Sequence, residues 1–262
     1  MDLAFLGIGQ LQMFLLILAR TAGIFTLVPL FGAKQIPVMV RIAIALGITM
    51  VFVPFCQSTG TKPLAVDVMP MVALIVKETI VGLVIGFVTT LVFTAIQLAG
   101  DYIDLQSGFS FATMFDPVYG AQTAVAGRLH HLLAGLLFFV TNAHHILLSG
   151  LADSFRLLPV GQFSLDPAVA GGVVDLFAAL FAVAVRIAAP VVAAVFLADV
   201  ALAMISRAVP QMNILMSGLP LKLGVGIVGM LVALPVAVAM SSNLLADIHL
   251  NTIGVLRQLV GH

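Results

Sequence analysis

Long apolar stretches alternate with short polar connections along this chain. Six segments of helix length hold no more than one charged residue each, and none of them alternates with a period of two. A transmembrane helix needs about 20 mostly apolar residues, whereas a barrel strand needs about 10 that alternate. The pattern therefore predicts an all-α, polytopic integral membrane protein with about six long helices, at residues 3–19, 42–61, 79–100, 129–152, 176–198 and 223–246.

Two polar stripes run along otherwise apolar helices. Thr94, Gln97, Asp101 and Asp104 recur at spacings of three, four and three, which puts them on one helix face. Lipid penalises such a face, so we expect it to be directed toward a watery lumen or a partner subunit. A helix end that emerges into water explains the pattern equally well. A second stripe of this kind comprises Asn142, His145, Ser149, Asp153 and Arg156.

Glycine and proline indicate where the helices approach one another or bend. Gly82 and Gly86 form a small-xxx-small pair, which lets a neighbouring helix come close. Pro190 and Pro235 lie inside predicted helices and should kink them.

No serine-glycine or charged linker divides the chain, so we predict a single domain over residues 1–262. Residues 107–127 are too irregular to be helical throughout, and they separate the two halves.

Composition supports the membrane assignment. Of the 262 residues 62% are hydrophobic and only 8% are charged, against about 25% charged in soluble domains. Eleven Lys and Arg balance eleven Asp and Glu, so no basic field attracts nucleic acid. The basic residues show no clear positive-inside bias, and tryptophan is absent. Two interpretations stay open. The spans either face lipid in the conventional way or pack largely against protein, and the first arrangement is the more common one among membrane proteins.

Candidate catalytic and metal-binding residues are few. The histidine pairs at 130–131 and 144–145 lie about 21 Å apart if they share one helix, too far for one metal ion. The sequence GFSFA at 108–112 is only loosely like a nucleophile elbow, because the closing glycine is absent. An intramembrane hydrolase that uses Ser110 with His130 or His131 is thus an alternative with little support. We predict no enzymatic activity, no metal and no cofactor.

Three charged residues lie in or beside apolar helices of the second half. Ionisable groups in such positions usually pair with a partner inside the membrane, and we expect this of Arg186, Asp199 and Arg207. An ion-coupled small-solute transporter is the main alternative function, with Asp101, Asp104 or Asp199 as a proton site. Such a transporter should show paired repeats with broken helices, and the sequence contains no convincing internal symmetry.

Short motifs in a fixed order resemble the FliR/SctT/SpaR family of type III export-gate proteins. The resemblance extends through nearly the whole chain, and GFSFA at 108–112 is closer to the flagellar branch than to the injectisome branch. The matching segments are RTAG at 20–23, PLFG at 29–32, IPVMVR at 36–41, AGDYIDLQ at 99–106, GFSFA at 108–112, DP at 116–117, NAHH at 142–145, SFRLLPVG at 154–161, AVPQMN at 208–213 and GLPLK at 218–222.

The resemblance implies a structural subunit of the flagellar protein export gate, in the bacterial inner membrane at the basal body. It implies FliP and FliQ as partners, FlhB and FlhA as neighbours, and unfolded flagellar proteins as substrates. Helices of this family are kinked and pack as hairpins against partner subunits, which would explain the missing charge bias.

The resemblance also implies a channel plug at residues 107–122, between the two halves. The family usually has methionine where this chain has Ser107, so other side chains must supply the apolar seal. A narrow hydrophobic constriction stops ions by dewetting, and a glycine next to Ser107 provides a hinge. The residues that this comparison assigns to the plug are Ser107, Gly108, Phe109, Phe111, Met114, Phe115, Asp116 and Pro117.

Overall fold

The computed structural model describes residues 3–29, 31, 36–58, 67–109, 125–162, 168–211 and 214–260. These residues form eight helices and confirm the all-α prediction. They are α1 (Leu3–Leu27), α2 (Val38–Ser58), α3 (Val68–Ser107), α4 (Val125–Val140), α5 (Ala143–Leu157), α6 (Ala168–Ala208), α7 (Ile214–Ala246) and α8 (Ile248–Val260).

Within the described residues, five helical segments are long and apolar enough to cross a membrane. The remaining predicted span, at residues 129–152, is divided into α4 and α5 by a break between them. Asn142 lies at this break in the left-handed conformation, with a φ of 58°. The prediction of about six spans is therefore confirmed, with one of them broken.

The helices are longer than the apolar runs that predicted them. α1 continues through Arg20 to Leu27, and α3 begins at Val68 and includes Glu78. The predicted span boundaries at residues 19 and 79 were wrong, because both charged residues are buried inside the protein and do not end their helices. At a rise of 1.5 Å per residue, the 40 residues of α3 extend about 60 Å, about twice the thickness of the hydrocarbon core.

The chain divides into two compact units. Unit 1 comprises Met1–Leu91, Asn142–Leu176 and Asp247–His262, and it contains α1, α2, the first part of α3, α5 and α8. Unit 2 comprises Val92–Thr141 and Phe177–Ala246, and it contains the second part of α3, α4, most of α6 and α7.

In unit 1, glycines allow α1 and α3 to approach each other closely. A methyl group at Gly82 would overlap the carbonyl oxygen of Arg20, and one at Gly86 would lie 2.8 Å from the carbonyl oxygen of Ile24. The hydroxyl of Thr90 donates across the same contact to the carbonyl oxygen of Leu27, at 2.8 Å. The close approach predicted from Gly82 and Gly86 is confirmed.

In unit 2, the second part of α3 packs against the start of α4. A methyl group at Gly100 would lie 2.6 Å from the Cα of Gly127, so the two backbones nearly touch. Further along, the rings of Phe93 and Phe138 are buried with centroids 5.5 Å apart. Along α6, apolar residues are buried at spacings of three and four, as expected for one face of a helix (Leu180, Ala184, Ile187, Val191 and Val195).

Candidate functional site

A fully buried ion pair joins α1 to α3 in unit 1. The Nε of Arg20 donates to a carboxylate oxygen of Glu78 at 2.6 Å, and both side chains are 0% exposed. Removing two charges from water costs several kcal/mol for each ion unless the remaining polar atoms are also satisfied. The surroundings of the pair must therefore supply further hydrogen bonds.

The end of α5 and the turn that follows it supply those bonds. Arg20 donates to the carbonyl oxygens of Ser154 and Leu158, each at 3.0 Å. The backbone N–H of Gly161 donates to the other oxygen of Glu78 at 2.8 Å. The guanidinium also lies over the ring of Phe155, 4.4 Å from its centroid. One ion pair thus holds together two helices and the turn after a third.

Sequence reasoning missed this cluster because it treated Arg20 and Glu78 as the ends of apolar runs. One signal was available, since Glu78 is the only glutamate in the chain and apolar stretches lie on both sides of it. A lone carboxylate at such a position predicts a buried cation as its partner.

The polar stripe of α3 changes its surroundings along its length in unit 2. Thr94 is exposed, Gln97 and Asp101 are half-buried, and Asp104 is buried. The Oδ1 of Asp101 is buried and has no hydrogen-bond partner within the described part of the chain. The four residues share a helix face, as their spacing predicted, but their exposure to solvent decreases along that face from Thr94 to Asp104.

Asp104 caps the start of α4. Its two carboxylate oxygens accept hydrogen bonds from the backbone N–H groups of Ala126 and Gly127, at 3.0 and 2.9 Å. These groups belong to the first turn of α4, where N–H groups lack partners within the helix and attract negative charge. The carboxylate of Asp104 is therefore used within the chain, and it fixes α4 to the last turns of α3.

The predicted plug begins where α3 ends. Ser107 is the last residue of α3 and is 0% exposed. Gly108 follows with a φ of +83°, and Phe109 is half-buried. A positive φ is strained for residues with a Cβ, so glycine suits this turn. The remaining predicted plug residues, Phe111, Met114, Phe115, Asp116 and Pro117, lie outside the described residues.

Of the three charged residues assigned to intramembrane pairing, Asp199 is bound within the chain. Its carboxylate lies 3.0 Å from the Nζ of Lys222 on α7, and it accepts a 3.2 Å hydrogen bond from the side-chain amide of Gln106 on α3. Arg186 and Arg207 are both exposed on α6.

The second polar stripe follows an exposed face of α5 in unit 1. Asp153 binds Arg156 at 3.0 Å on its own helix and lies 3.5 Å from His249 on α8. His145 and Ser149 are exposed, so this face resembles an ordinary polar helix surface. Among the residues that the structure describes, no group of three His, Cys, Asp or Glu side chains could hold a metal ion.

Comparison with known proteins identifies the family. A family model described as bacterial export proteins, family 1, matches residues 11–248. The chain belongs to this family. It is 36% identical to the flagellar biosynthetic protein FliR of Bacillus subtilis over 95% of both chains. It is 29% identical to FliR of Escherichia coli over 88% of this chain and 87% of the relative. It is 34% identical to the Yop proteins translocation protein T of Yersinia pestis over 79% of this chain and 80% of the relative.

Membership of this export family defines the function at a general level. The chain is a component of the export gate of the flagellar and type III secretion apparatus, and it is not an enzyme. It is a multi-pass protein of the bacterial inner membrane. The transporter and hydrolase alternatives are thereby set aside.

Proposed function

We propose that this chain serves the flagellar branch of the family and joins FliP and FliQ subunits around the export channel. FlhB and FlhA are its neighbours in the apparatus, and unfolded flagellar proteins are its substrates. Residues 107–122 form the barrier that closes the channel between export events.

The exposure of Arg186 on an apolar helix supports the presence of protein partners most strongly. It is exposed twelve residues into the 35-residue apolar span Val174–Ala208, and Val185, the residue before it, is 44% exposed. An arginine at the centre of a lipid-facing helix costs about 3 kcal/mol or more. A partner subunit that supplies an acceptor would remove this cost.

The apolar surface of the other helices supports the same proposal. An 18-residue apolar stretch of α3 is 61% buried within the chain, whereas such a stretch is only 17% buried in α2 and 11% buried in the span Gly218–Arg257. Helices with such open faces can pack against further subunits, and the many small residues of α6 and α7 allow close contact.

The barrier proposal is supported by how α3 ends. Asp104 fixes the last turns of α3 to α4, and α4 is the next helix along the chain after the proposed plug. One carboxylate therefore joins the two helices that flank this segment. A loop with fixed ends can close a channel with apolar side chains, because a narrow apolar constriction excludes water and ions. Phe109, Phe111, Met114 and Phe115 are the side chains assigned to this seal.

Assembly tests the partner proposal. Co-expression with FliP and FliQ should give a stable complex, whereas the chain produced alone should aggregate, since its apolar faces would lack cover. Native mass spectrometry of the solubilised complex gives its composition. A monodisperse, well-folded monomer obtained without partners would contradict the proposal.

Loop deletion tests the barrier proposal. The purified complex is reconstituted into phosphatidylethanolamine and phosphatidylglycerol vesicles loaded with potassium. Deletion of residues 109–115 should leave assembly intact and speed potassium release, while cells that carry the deletion should still secrete flagellin. Vesicles that stay tight around a correctly assembled deletion complex would refute the barrier.

A further inference from the structure

We propose that the groove between α6 and α7 binds a membrane-spanning helix of another subunit, and that this helix carries an aspartate or glutamate that pairs with Arg186. The inference rests on the protein partners proposed above and adds the chemistry that such a partner needs. The groove and Arg186 both belong to unit 2.

The groove runs along an open side of the α6–α7 pair. Its volume is about 730 Å³, which is in the size range of binding sites. Eleven residues of the two helices line it, and each of them is apolar or glycine. On the α7 side Val228 is 60% exposed and Val232 is 76% exposed. The described part of the chain therefore leaves this groove open to its surroundings.

Small residues allow another helix to come close to the groove. Gly229 is used within the pair, since a methyl group there would lie 3.2 Å from the side chain of Val191 on α6. Gly224 faces open space, because a methyl group there has no described neighbour within 4 Å. Membrane helices associate through small residues of this kind. Gly224 thus remains available to a further helix.

The two helices run antiparallel. Asp199 on α6 binds Lys222 on α7 at 3.0 Å, whereas Val191, earlier on α6, meets Gly229, later on α7. A residue that lies still earlier on α6 is therefore level with one that lies still later on α7.

Arg186 lies beside one end of the groove. It is four residues, about one turn, before Pro190, which lines the groove, so the two share a face of α6. In the antiparallel order it is level with the end of the groove at Val236. Arg186 is exposed, and its guanidinium has no acceptor among the residues that the structure describes.

The position of Arg186 along α6 selects the kind of acceptor. Asp175 and Asp199 bound the apolar stretch 176–198, which is about 34 Å long and so close to the thickness of the hydrocarbon core. Arg186 lies near its middle, about 15 Å from either end, whereas a phospholipid phosphate stays at the membrane surface. A protein helix can place an acceptor at that depth. Because a guanidinium is always charged, a carboxylate is the acceptor that suits it.

The partner helix therefore combines an apolar face that fits the groove with one carboxylate about halfway along its apolar stretch. In lipid, both the carboxylate and the arginine are unfavourable when alone. Pairing removes both penalties at once. An apolar helix without the carboxylate would leave Arg186 without an acceptor, so the charge pair also selects the correct partner.

Photo-crosslinking tests which molecule occupies the groove. The complex with FliP and FliQ is purified with p-benzoylphenylalanine in place of Val232, and the cross-linked product is identified by mass spectrometry. We expect one membrane-spanning helix of another subunit, with an aspartate or glutamate within about two turns of the linked residue. A cross-link to phospholipid alone, or to a helix without such a carboxylate, would overturn the proposal.

Arg186→Met tests the charge pair. It leaves the partner's carboxylate without a cation, so recovery of the complex should fall about tenfold or more. Arg186→Lys keeps the charge and should retain most of the complex. Arg207→Met is the matched control, because Arg207 is also exposed on α6 but lies in its last turn.

Replacement of the partner's carboxylate by leucine should restore assembly to Arg186→Met, since no charge is then left unpaired. The charge pair is wrong if Arg186→Met assembles normally, or if the second change restores nothing.

Gly224→Leu tests the groove independently of the charge. The new side chain enters open space, so this chain should still fold, but it occupies the place of the partner helix and should lower recovery of the complex. Gly171→Leu is the control, because Gly171 is exposed, has equal space around it and does not line the groove. Normal assembly of Gly224→Leu would contradict the docking site. Normal assembly of both Arg186→Met and Gly224→Leu refutes only this inference, whereas an unmodified chain that forms no complex with FliP and FliQ refutes the proposed function as well.

Discussion

Replacement of Arg20 by methionine should destabilise the protein more than any exposed substitution. Methionine keeps most of the apolar stem, so the change removes mainly the charge and the hydrogen bonds. Glu78 would then remain 0% exposed, and among the residues that the structure describes it would keep one N–H donor, Gly161, and no cation. The carbonyl oxygen of Leu158 would lose the donor that Arg20 provides.

The magnitude follows from these losses. Leaving one member of a buried ion pair without its partner typically costs about 3–5 kcal/mol, a large part of the roughly 5–15 kcal/mol that stabilises a folded protein. For a chain of this size, such a change lowers the melting temperature by about 10 °C. Arg20→Met/Glu78→Met should lose less than Arg20→Met alone, because no charge then stays buried.

The assay is thermal unfolding of the purified complex, with Lys77→Met as the control. Lys77 is exposed and is adjacent to Glu78 on α3, so its loss should change stability by no more than about 0.5 kcal/mol. The charge reversal Arg20→Glu/Glu78→Arg should fail to restore stability, because the carbonyl oxygens of Ser154 and Leu158 need a donor at position 20. The reasoning is refuted if the Arg20→Met complex melts within about 2 °C of the unmodified complex. It is also refuted if the charge-reversal variant is as stable as the unmodified complex.

Three further outcomes can be measured with the same complex. Gly82→Ala should lower its thermal stability by about 1–3 kcal/mol through overpacking, whereas Gly47→Ala, where a methyl group meets nothing within 4 Å, should be nearly neutral; equal losses would contradict the close contact. Asp104→Ala should cost about 1–2 kcal/mol because α4 loses its cap, and Asp104→Asn, which keeps one acceptor, should cost less; hydrogen exchange at the start of α4 reports the difference. Replacement of His130 and His131 by Asn should leave flagellin export nearly unchanged, and elemental analysis should find no stoichiometric zinc; a zinc equivalent lost on substitution would assign a metal site.

The helical fold could be predicted because its signal is local. An apolar run of about 20 residues indicates a membrane helix independently of the contacts that the helix makes with the rest of the chain. The ends of the helices could not be predicted in this way. Arg20 and Glu78 are 58 residues apart in sequence, and only their contact in the folded chain allows both to lie inside apolar helices.

The α3 stripe shows a second limit of sequence reasoning. Spacings of three and four correctly placed Thr94, Gln97, Asp101 and Asp104 on one face. Periodicity describes the helix and not its neighbours, so it could not show that α4 begins beside Asp104 and covers it. The same holds for Gly226, which looks ordinary in a glycine-rich helix until Ser107 is seen against it.

The length of α3 has a consequence for how this protein enters the membrane. A helix about 60 Å long exceeds the hydrocarbon thickness by about 30 Å, and charged residues lie in the excess turns, Lys77 and Glu78 toward one end and Asp101 and Asp104 at the other. Each ångström of mismatch costs a fraction of a kcal/mol. Tilting cannot absorb such an excess, since a helix twice as long as the slab is thick would have to lie about 60° from the membrane normal. Lipid alone is therefore a poor solvent for the finished helix. The carboxylates of Glu78 and Asp104 are covered by Arg20 of α1 and by the first turn of α4, so α3 needs these parts of its own chain beside it when it inserts.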